Sequence, residues 1–284
     1  MSNLVDITYF PGCALEGSAR EAKLSLELAA RILGLNLIEL DDWNCCGSSS
    51  VNALDKDIGF SLAVRNLSLA SPERLLMTMC PLCVYYLRKA QLRLREDPEA
   101  LRAQEQRWGR PVSPDLEVVH FMEVLVRLGP QRLQSRLAQP LQGLKAVPYY
   151  GCATFRGAPA LSRERYYQGE LGTVLTALGA KVPDNVITNL CCGSFLSTAH
   201  PEVTQPLVNK VMESAMARGA ECLVTSCAMC QLNLEMRCTL KEKLPIFHFS
   251  EILALAFGVR EDEGWFPRHL TDPRPLLREK GLVS

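Results

Sequence analysis

Apolar and polar positions alternate between two periods along this chain, and the same succession appears twice. Val5 to Phe10 reads as a short strand ending at the Pro11-Gly12 turn signal. Between Ser18 and Leu33 the apolar side chains Leu24, Leu28, Ala29 and Ile32 recur at helical spacing, and Gly34 follows as a terminator. Asn36 to Leu40 is the next predicted strand, Asp55 to Leu69 a helix, Arg74 to Met79 a strand, and Leu82 to Leu94 a helix. The second half predicts a strand over Lys145 to Tyr150 and a helix over Ser162 to Leu178 closed by Gly179. A strand over Val186 to Leu190, a helix over Leu207 to Arg218 and a strand over Cys222 to Thr225 complete it. The expected fold class is α/β: two tandem related α/β domains with short parallel sheets, residues 1–140 and 141–284, joined in the Pro/Gln/Gly-rich stretch from Gly129 to Leu144.

Cysteine spacing turns this repeat into chemistry. Thirty-one residues separate Cys13 from the pair Cys45-Cys46, and 33 separate Cys46 from Cys80-Pro81-Leu82-Cys83. In the second half, 38 residues separate Cys152 from Cys191-Cys192, and 34 separate Cys192 from Cys227-Ala228-Met229-Cys230. Ten of the 12 cysteines thus form two matched five-member sets, leaving Cys222 and Cys238 as candidate buried hydrophobes. Gly47 and Gly193 follow the two Cys-Cys pairs and supply the sharp turn by which neighbouring side chains reach one small centre. The predicted elements set the thiols at the C-terminal ends of parallel strands, where open α/β sheets present their sites.

Five thiols per set favour an iron–sulfur unit with an extra or bridging ligand over an ordinary zinc knuckle, which needs four. Structural zinc, reversible disulfide chemistry and inert burial are the competing readings. Composition narrows the field: 31 basic and 31 acidic residues cancel, so no net field attracts nucleic acid, and 48% hydrophobic residues suffice for sizeable cores. The N-terminal residues lack a secretory pattern and no run of eighteen apolar residues predicts a membrane span, so the expected location is cytoplasmic.

Other side chains carry paired readings. His120 and His248 hold matching places in the repeat, each followed by Phe and then a Glu, and read as helix-start residues or as donors beside a centre. His200, just after the second Cys-Cys-Gly loop, is a candidate proton donor. Arg88, Lys89, Arg93 and Arg95 read as a solvated helix face or as a docking surface for an acidic partner.

The segments Phe10-Pro11-Gly12-Cys13, Cys45-Cys46-Gly47, Cys80-Pro81-Leu82-Cys83, Tyr150-Gly151-Cys152, Cys191-Cys192-Gly193 and Cys227-Ala228-Met229-Cys230 resemble, in order and spacing, the duplicated cysteine-rich domain of the heterodisulfide reductase B-subunit family. The resemblance implies two noncubane [4Fe-4S] clusters. Cys13, Cys45, Cys46, Cys80 and Cys83 would hold one, and Cys152, Cys191, Cys192, Cys227 and Cys230 the other, with zinc as the alternative in the N-terminal site. It also implies a redox subunit that moves electrons between a ferredoxin-like iron–sulfur or flavoprotein partner and a disulfide, thiol or quinone-coupled acceptor. Cys45, Cys46, Cys191 and Cys192 would then lie nearest the chemistry. The alternative within the family is a relay subunit of an organic-acid or succinate/fumarate oxidoreductase, on the cytoplasmic face of a membrane through a partner.

Overall fold

A computed structural model describes residues 5–48, 50–156, 169–183, 190–260 and 264–284. Two parallel sheets organise it. In the first, the order is β2-β1-β3-β4, from Leu35–Glu39, Val5–Phe10, Leu76–Thr78 and Val118–His120. In the second it is β5-β6-β7, from Ala146–Tyr149, Cys222–Thr225 and Ile246–His248. β1, β3 and β4 therefore correspond to β5, β6 and β7. The counterpart of β2 begins at Lys181, whose parallel bridge to Lys145 repeats the pairing of Asn36 with Asp6. The predicted strand over Val186 to Leu190 falls outside the described residues except at Leu190. The predicted helix over Ser162 to Leu178 is described only as Glu170–Ala177.

Local chemistry explains the element ends. Asp55 caps the helix Lys56–Leu69 by accepting from the backbone N–H groups of Asp57 and Ile58. Pro81 and Pro98 sit in the first turns of the helices Pro81–Glu96 and Pro98–Trp108, where a missing N–H costs nothing. β4, β7 and the helix Pro98–Trp108 are elements that the periodicity did not predict. β4 and β7 are three residues each, too short to leave an alternation.

His120 and His248 end β4 and β7 and cap the helices Phe121–Gln134 and Phe249–Ala256. Each forms a reciprocal box: the imidazole accepts from the helix backbone, while Glu123 or Glu251 accepts from the histidine's own N–H, at 3.0 and 2.7 Å. The helix-start reading of these two residues is thus correct.

One apolar core joins the two halves. Every residue of Phe249–Ala256 is buried, and that helix packs on Arg20–Ile32 of the first half, with Ser25 and Ser250 hydroxyls 2.8 Å apart across the contact. Glu170–Ala177 packs on Phe121–Gln134 in the same way. No helix among the described residues is long and apolar enough to cross a membrane.

Candidate functional site

Each sheet delivers its thiols by the same device. Strand β3 runs into Cys80, which caps Pro81–Glu96, and β6 runs into Cys227, which caps Ala228–Arg237. Thr78 and Thr225, the buried last residues of those strands, accept the backbone N–H of Cys80 and Cys227 through their hydroxyls, at 3.4 and 3.3 Å. β1 and β5 run into the short helices Gly12–Glu16 and Gly151–Arg156, which carry Cys13 and Cys152. The two Cys-Cys-Gly loops close the sets, with Gly47 and Gly193 at φ of 74° and 72° as the turn requires.

The sulfurs are brought together. In the N-terminal set, thiol contacts run from Cys13 to Cys45, Cys46, Cys83 and Cys80 in a chain. In the C-terminal set, Cys191 meets Cys192, Cys192 lies 3.4 Å from Cys230, and Cys230 meets Cys227. Cys152 joins the same neighbourhood, acting with Cys230, Cys192 and Cys191 on the phenol of Tyr149. Among the described residues no three His, Cys, Asp or Glu side chains are arranged to hold a single metal ion.

Neighbouring thiols and backbone N–H groups favour the thiolate at Cys45 and Cys80. Cys45 is drawn down to about 2 because Cys13 and Cys46 donate to it, and the N–H groups of Gly47 and Ser48 add to that against the cost of burial. Cys80 is lowered chiefly by Cys83, helped by backbone N–H groups of the helix start. In the second loop, Gly193 N–H donates to Cys191 Sγ at 3.3 Å, while Cys192 is raised to about 11 by donating to Cys191. A Cβ on Gly12 would stand 3.3 Å from Cys83 Sγ, and one on Gly151 3.0 Å from Cys230 Sγ. Glycine at both places leaves the space beside the CxxC sulfurs clear.

Two buried asparagines pin the loops and went unread in the sequence. Asn66 donates to the Asn44 carbonyl at 2.9 Å, and Asn233 donates to the Cys192 carbonyl at 2.6 Å. They stand at different places in the two repeats and left no shared signal, whereas Thr78 and Thr225 share a Thr-x-Cys spacing. Cys222 and Cys238 are buried apart from these chains of contacts, Cys222 within β6 with its thiol raised by burial. His200 is exposed with its ring on Glu202 at 3.1 Å, and Arg88 is not part of a solvated face. Arg88 lies nearly buried, donating to the Val118 carbonyl at 2.8 Å and pairing with Glu123 at 3.0 Å. Arg93 and Arg95 do face solvent, paired with Asp57 and Asp115.

The two sets face each other across the halves. The helix bearing Cys13 packs beside the one bearing Cys230, and the helix bearing Cys83 packs beside the one bearing Cys152. Fold and site together define a duplicated cysteine-rich α/β protein with a thiol-lined centre in each half. The model of the CCG cysteine-rich domain matches residues 7–88 and 146–235, more than half of the chain, and the chain belongs to that family.

Among its relatives, the 8-methylmenaquinol:fumarate reductase membrane anchor subunit of Wolinella succinogenes is 29% identical, over 95% of this chain and 99% of that protein. The B subunit of the ferredoxin/F420H2-dependent CoB-CoM heterodisulfide reductase of Methanosarcina acetivorans is 27% identical over 92% of each. The glycolate oxidase iron-sulfur subunit of Escherichia coli is 24% identical over 78% of this chain and 52% of that protein. A crystal structure of a hypothetical protein from Helicobacter pylori shares the fold, with a TM-score of 0.70 at 13% identity over 93% of this chain and 51% of that one. The relatives are oxidoreductase subunits, and this chain is a redox subunit of the same type.

Proposed function

We propose that the chain is an iron–sulfur subunit of a heterodisulfide-reductase-like complex, with one [4Fe-4S] centre of the noncubane kind in each half. Cys13, Cys45, Cys46, Cys80 and Cys83 hold the first, and Cys152, Cys191, Cys192, Cys227 and Cys230 the second, the halves dividing near residue 140. The observation that carries this reading is the pair of five-thiol sets facing one another across the two halves. Five thiols in each half exceed the four ligands of a tetrahedral zinc and suit a multi-iron centre with several attachment points better.

When bound, such centres supply electrons one at a time, and cleaving a disulfide to two thiols takes two electrons and two protons. The chain's own residues set the access. Cys13 is exposed, with Cys45 and Cys80 half-buried, so the N-terminal set opens toward an incoming sulfur compound. Cys192, Cys227 and Cys230 are all buried, and Met77, Met79 and Met212 exclude water around the strand ends. Exposed apolar side chains follow each Cys-Cys-Gly loop, Leu54 and Ile58 in the first half and Phe195 and Leu196 in the second. They suit docking of a ferredoxin-like iron–sulfur subunit and a flavoprotein subunit, through which the chain reaches the cytoplasmic membrane face.

A second reading, a relay subunit that breaks no bond, is favoured by the similarity to the fumarate reductase subunit. Metal and acid-labile sulfide analysis of anaerobically prepared protein, with electron paramagnetic resonance, tests both. About eight irons per chain, matched by sulfide, is the expected result for two four-iron centres; zinc without sulfide overturns the proposal. Disulfide-dependent oxidation of the reduced protein separates the catalytic subunit from the relay.

A further inference from the structure

The two Cys-Cys-Gly loops are held by different parts of the fold. The second is pinned from its own CxxC helix, Ala228–Arg237, where Asn233 donates to the Cys192 carbonyl. The first lies on a separate helix, Lys56–Leu69, which carries none of the ten thiols. Contact there is backbone to backbone: a Cβ on Gly47 would stand 2.4 Å from the Gly59 carbonyl oxygen. Further along the same helix, the Leu62 carbonyl, the Arg65 guanidinium and the Asn66 amide all meet Asn44, the residue before Cys45.

Asn44 is saturated, and donor chemistry fixes the order of its bonds. Asn66 brackets its backbone, accepting the Asn44 N–H at 3.0 Å and donating to the Asn44 carbonyl at 2.9 Å. Arg65 can only donate, and its Nη1 lies 2.8 Å from the side-chain oxygen Oδ1 of Asn44. The guanidinium therefore sets which end of that amide is oxygen. Nδ2 is left to donate to the Cys45 carbonyl at 2.7 Å and to the Leu62 carbonyl at 3.1 Å. The Cys45 carbonyl belongs to the planar peptide that joins Cys45 to Cys46, so its direction governs how the two neighbouring side chains leave the backbone.

Arg65 is itself built into place. Nη1 also donates to the Asp42 carbonyl at 2.6 Å, and Nη2 pairs with the Asp42 carboxylate. Asp42 turns both groups toward it from a φ of 53°, the one positive value among the described non-glycine residues. The guanidinium also lies over the Trp108 indole, 5.6 Å from the ring centre.

We propose that Arg65 is a positioning residue for the N-terminal thiol set: through Asn44 it orients the Cys45–Cys46 peptide, and with it the two sulfurs that this pair presents to a shared centre. What the pair holds rests on the redox reading above, whereas its orientation belongs to the protein without metal.

Two substitutions break the relay at different links. Arg65→Met keeps an unbranched apolar stem against Trp108 and removes every donor. Asn44→Asp keeps an oxygen for Arg65 and replaces the N–H groups directed at Cys45 with a second carboxylate oxygen. Arg93→Met is the comparison, because Arg93 also joins a carboxylate to an aromatic face, Asp57 and Phe60, in bonds away from the loop.

In the full chain loaded anaerobically with iron and sulfide, Arg65→Met and Asn44→Asp are expected to alter the paramagnetic spectrum of the centre that Cys45→Ala removes, and to leave the other unchanged. In reduced, metal-free protein, alkylation by iodoacetamide is followed residue by residue by mass spectrometry. Each variant is expected to speed labelling of the buried Cys46 about tenfold relative to Cys192, the scale of one lost charge-assisted hydrogen bond. Arg65→Lys, which retains a charged donor, is expected to fall between, and Arg93→Met to match wild type. Labelling of Cys46 at the wild-type rate in both variants, or an equal rise at Cys46 and Cys192, overturns the assignment. Protein that takes up no iron and sulfide overturns the redox reading alone, and the labelling rates still decide the role of Arg65.

Discussion

In the N-terminal half, Arg88 reaches from the CxxC helix to Glu123 of the capping box and forms an ordinary, nearly buried ion pair. The equivalent position in the C-terminal half, eight residues after the first cysteine of the motif, is Glu235, and its opposite number is again a glutamate, Glu251. Two carboxylates cannot share that space unaided. His269, from the segment after the repeat, enters between them, with Nδ1 2.9 Å from Glu235 and Nε2 2.8 Å from Glu251. A second contrast lies beside the sulfurs. Phe10 of the first half packs edge-on to Trp43, whereas its counterpart Tyr149 donates its hydroxyl to the Leu190 carbonyl, just before Cys191, at 3.0 Å. Burial first, and then the four nearby sulfurs, raise that phenol, so it stays protonated and keeps its hydrogen bond. Duplication preserved the strand ends and the thiols, while the surroundings of the second set came to depend on residues outside the repeat.

The largest effect should come from taking the sets apart. Cys192→Ala is expected to remove the C-terminal centre and halve iron and sulfide, and Cys45→Ala to do the same for the N-terminal centre. Cys238→Ala is expected to keep full metal content and lose only packing. Elemental analysis of the three proteins checks this, and equal iron in all of them breaks the ligand assignment.

Next in size is the charge contrast. His269→Ala leaves Glu235 and Glu251 without their shared cation and is expected to cost about 3–5 kcal/mol. Arg88→Ala should cost less, about 2 kcal/mol, because its pair retains some solvent. Urea unfolding near neutral pH compares the two, and equal losses would remove the distinction between the halves.

The same triad carries a pH signature. Burial alone would lower His269, but Glu251 and Glu235 outweigh it and raise the imidazole from an ordinary value near 6.5 to about 10. A raised folded-state value means this stabilisation is complete below about pH 6.5, declines above it and is gone once the pH passes about 10. Stability followed from pH 6 to 11 should show that decline in the wild type and a flatter profile in His269→Gln.

The smallest effect belongs to the aromatic pair. Tyr149→Phe should cost about 1 kcal/mol for the hydrogen bond to Leu190. It should also alter the paramagnetic signal of the C-terminal centre and not the other.

The expected strands over Val5 to Phe10, Lys145 to Tyr150 and Cys222 to Thr225 appear within a residue of their predicted ends. The helix from Asp55 differs only in that Asp55 is its cap. These elements were legible because backbone geometry imposes a period that neighbouring residues record. The duplicated thiol motif was legible too, since each set is written in short signatures at repeated distances. Arg88 was misread because its partner, Glu123, is thirty-five residues away and only the fold makes their helix and cap adjacent.

His269 carried no pattern, and its role exists only where Glu235 and Glu251 are held within hydrogen-bond distance of one ring. The amino-acid order by itself determined a doubled α/β chain with ten thiols at strand ends and loops. Tertiary structure alone decided which set is sheltered and which charges are compensated. Periodicity is a property of adjacent residues, whereas burial and charge balance depend on distant ones that packing brings together.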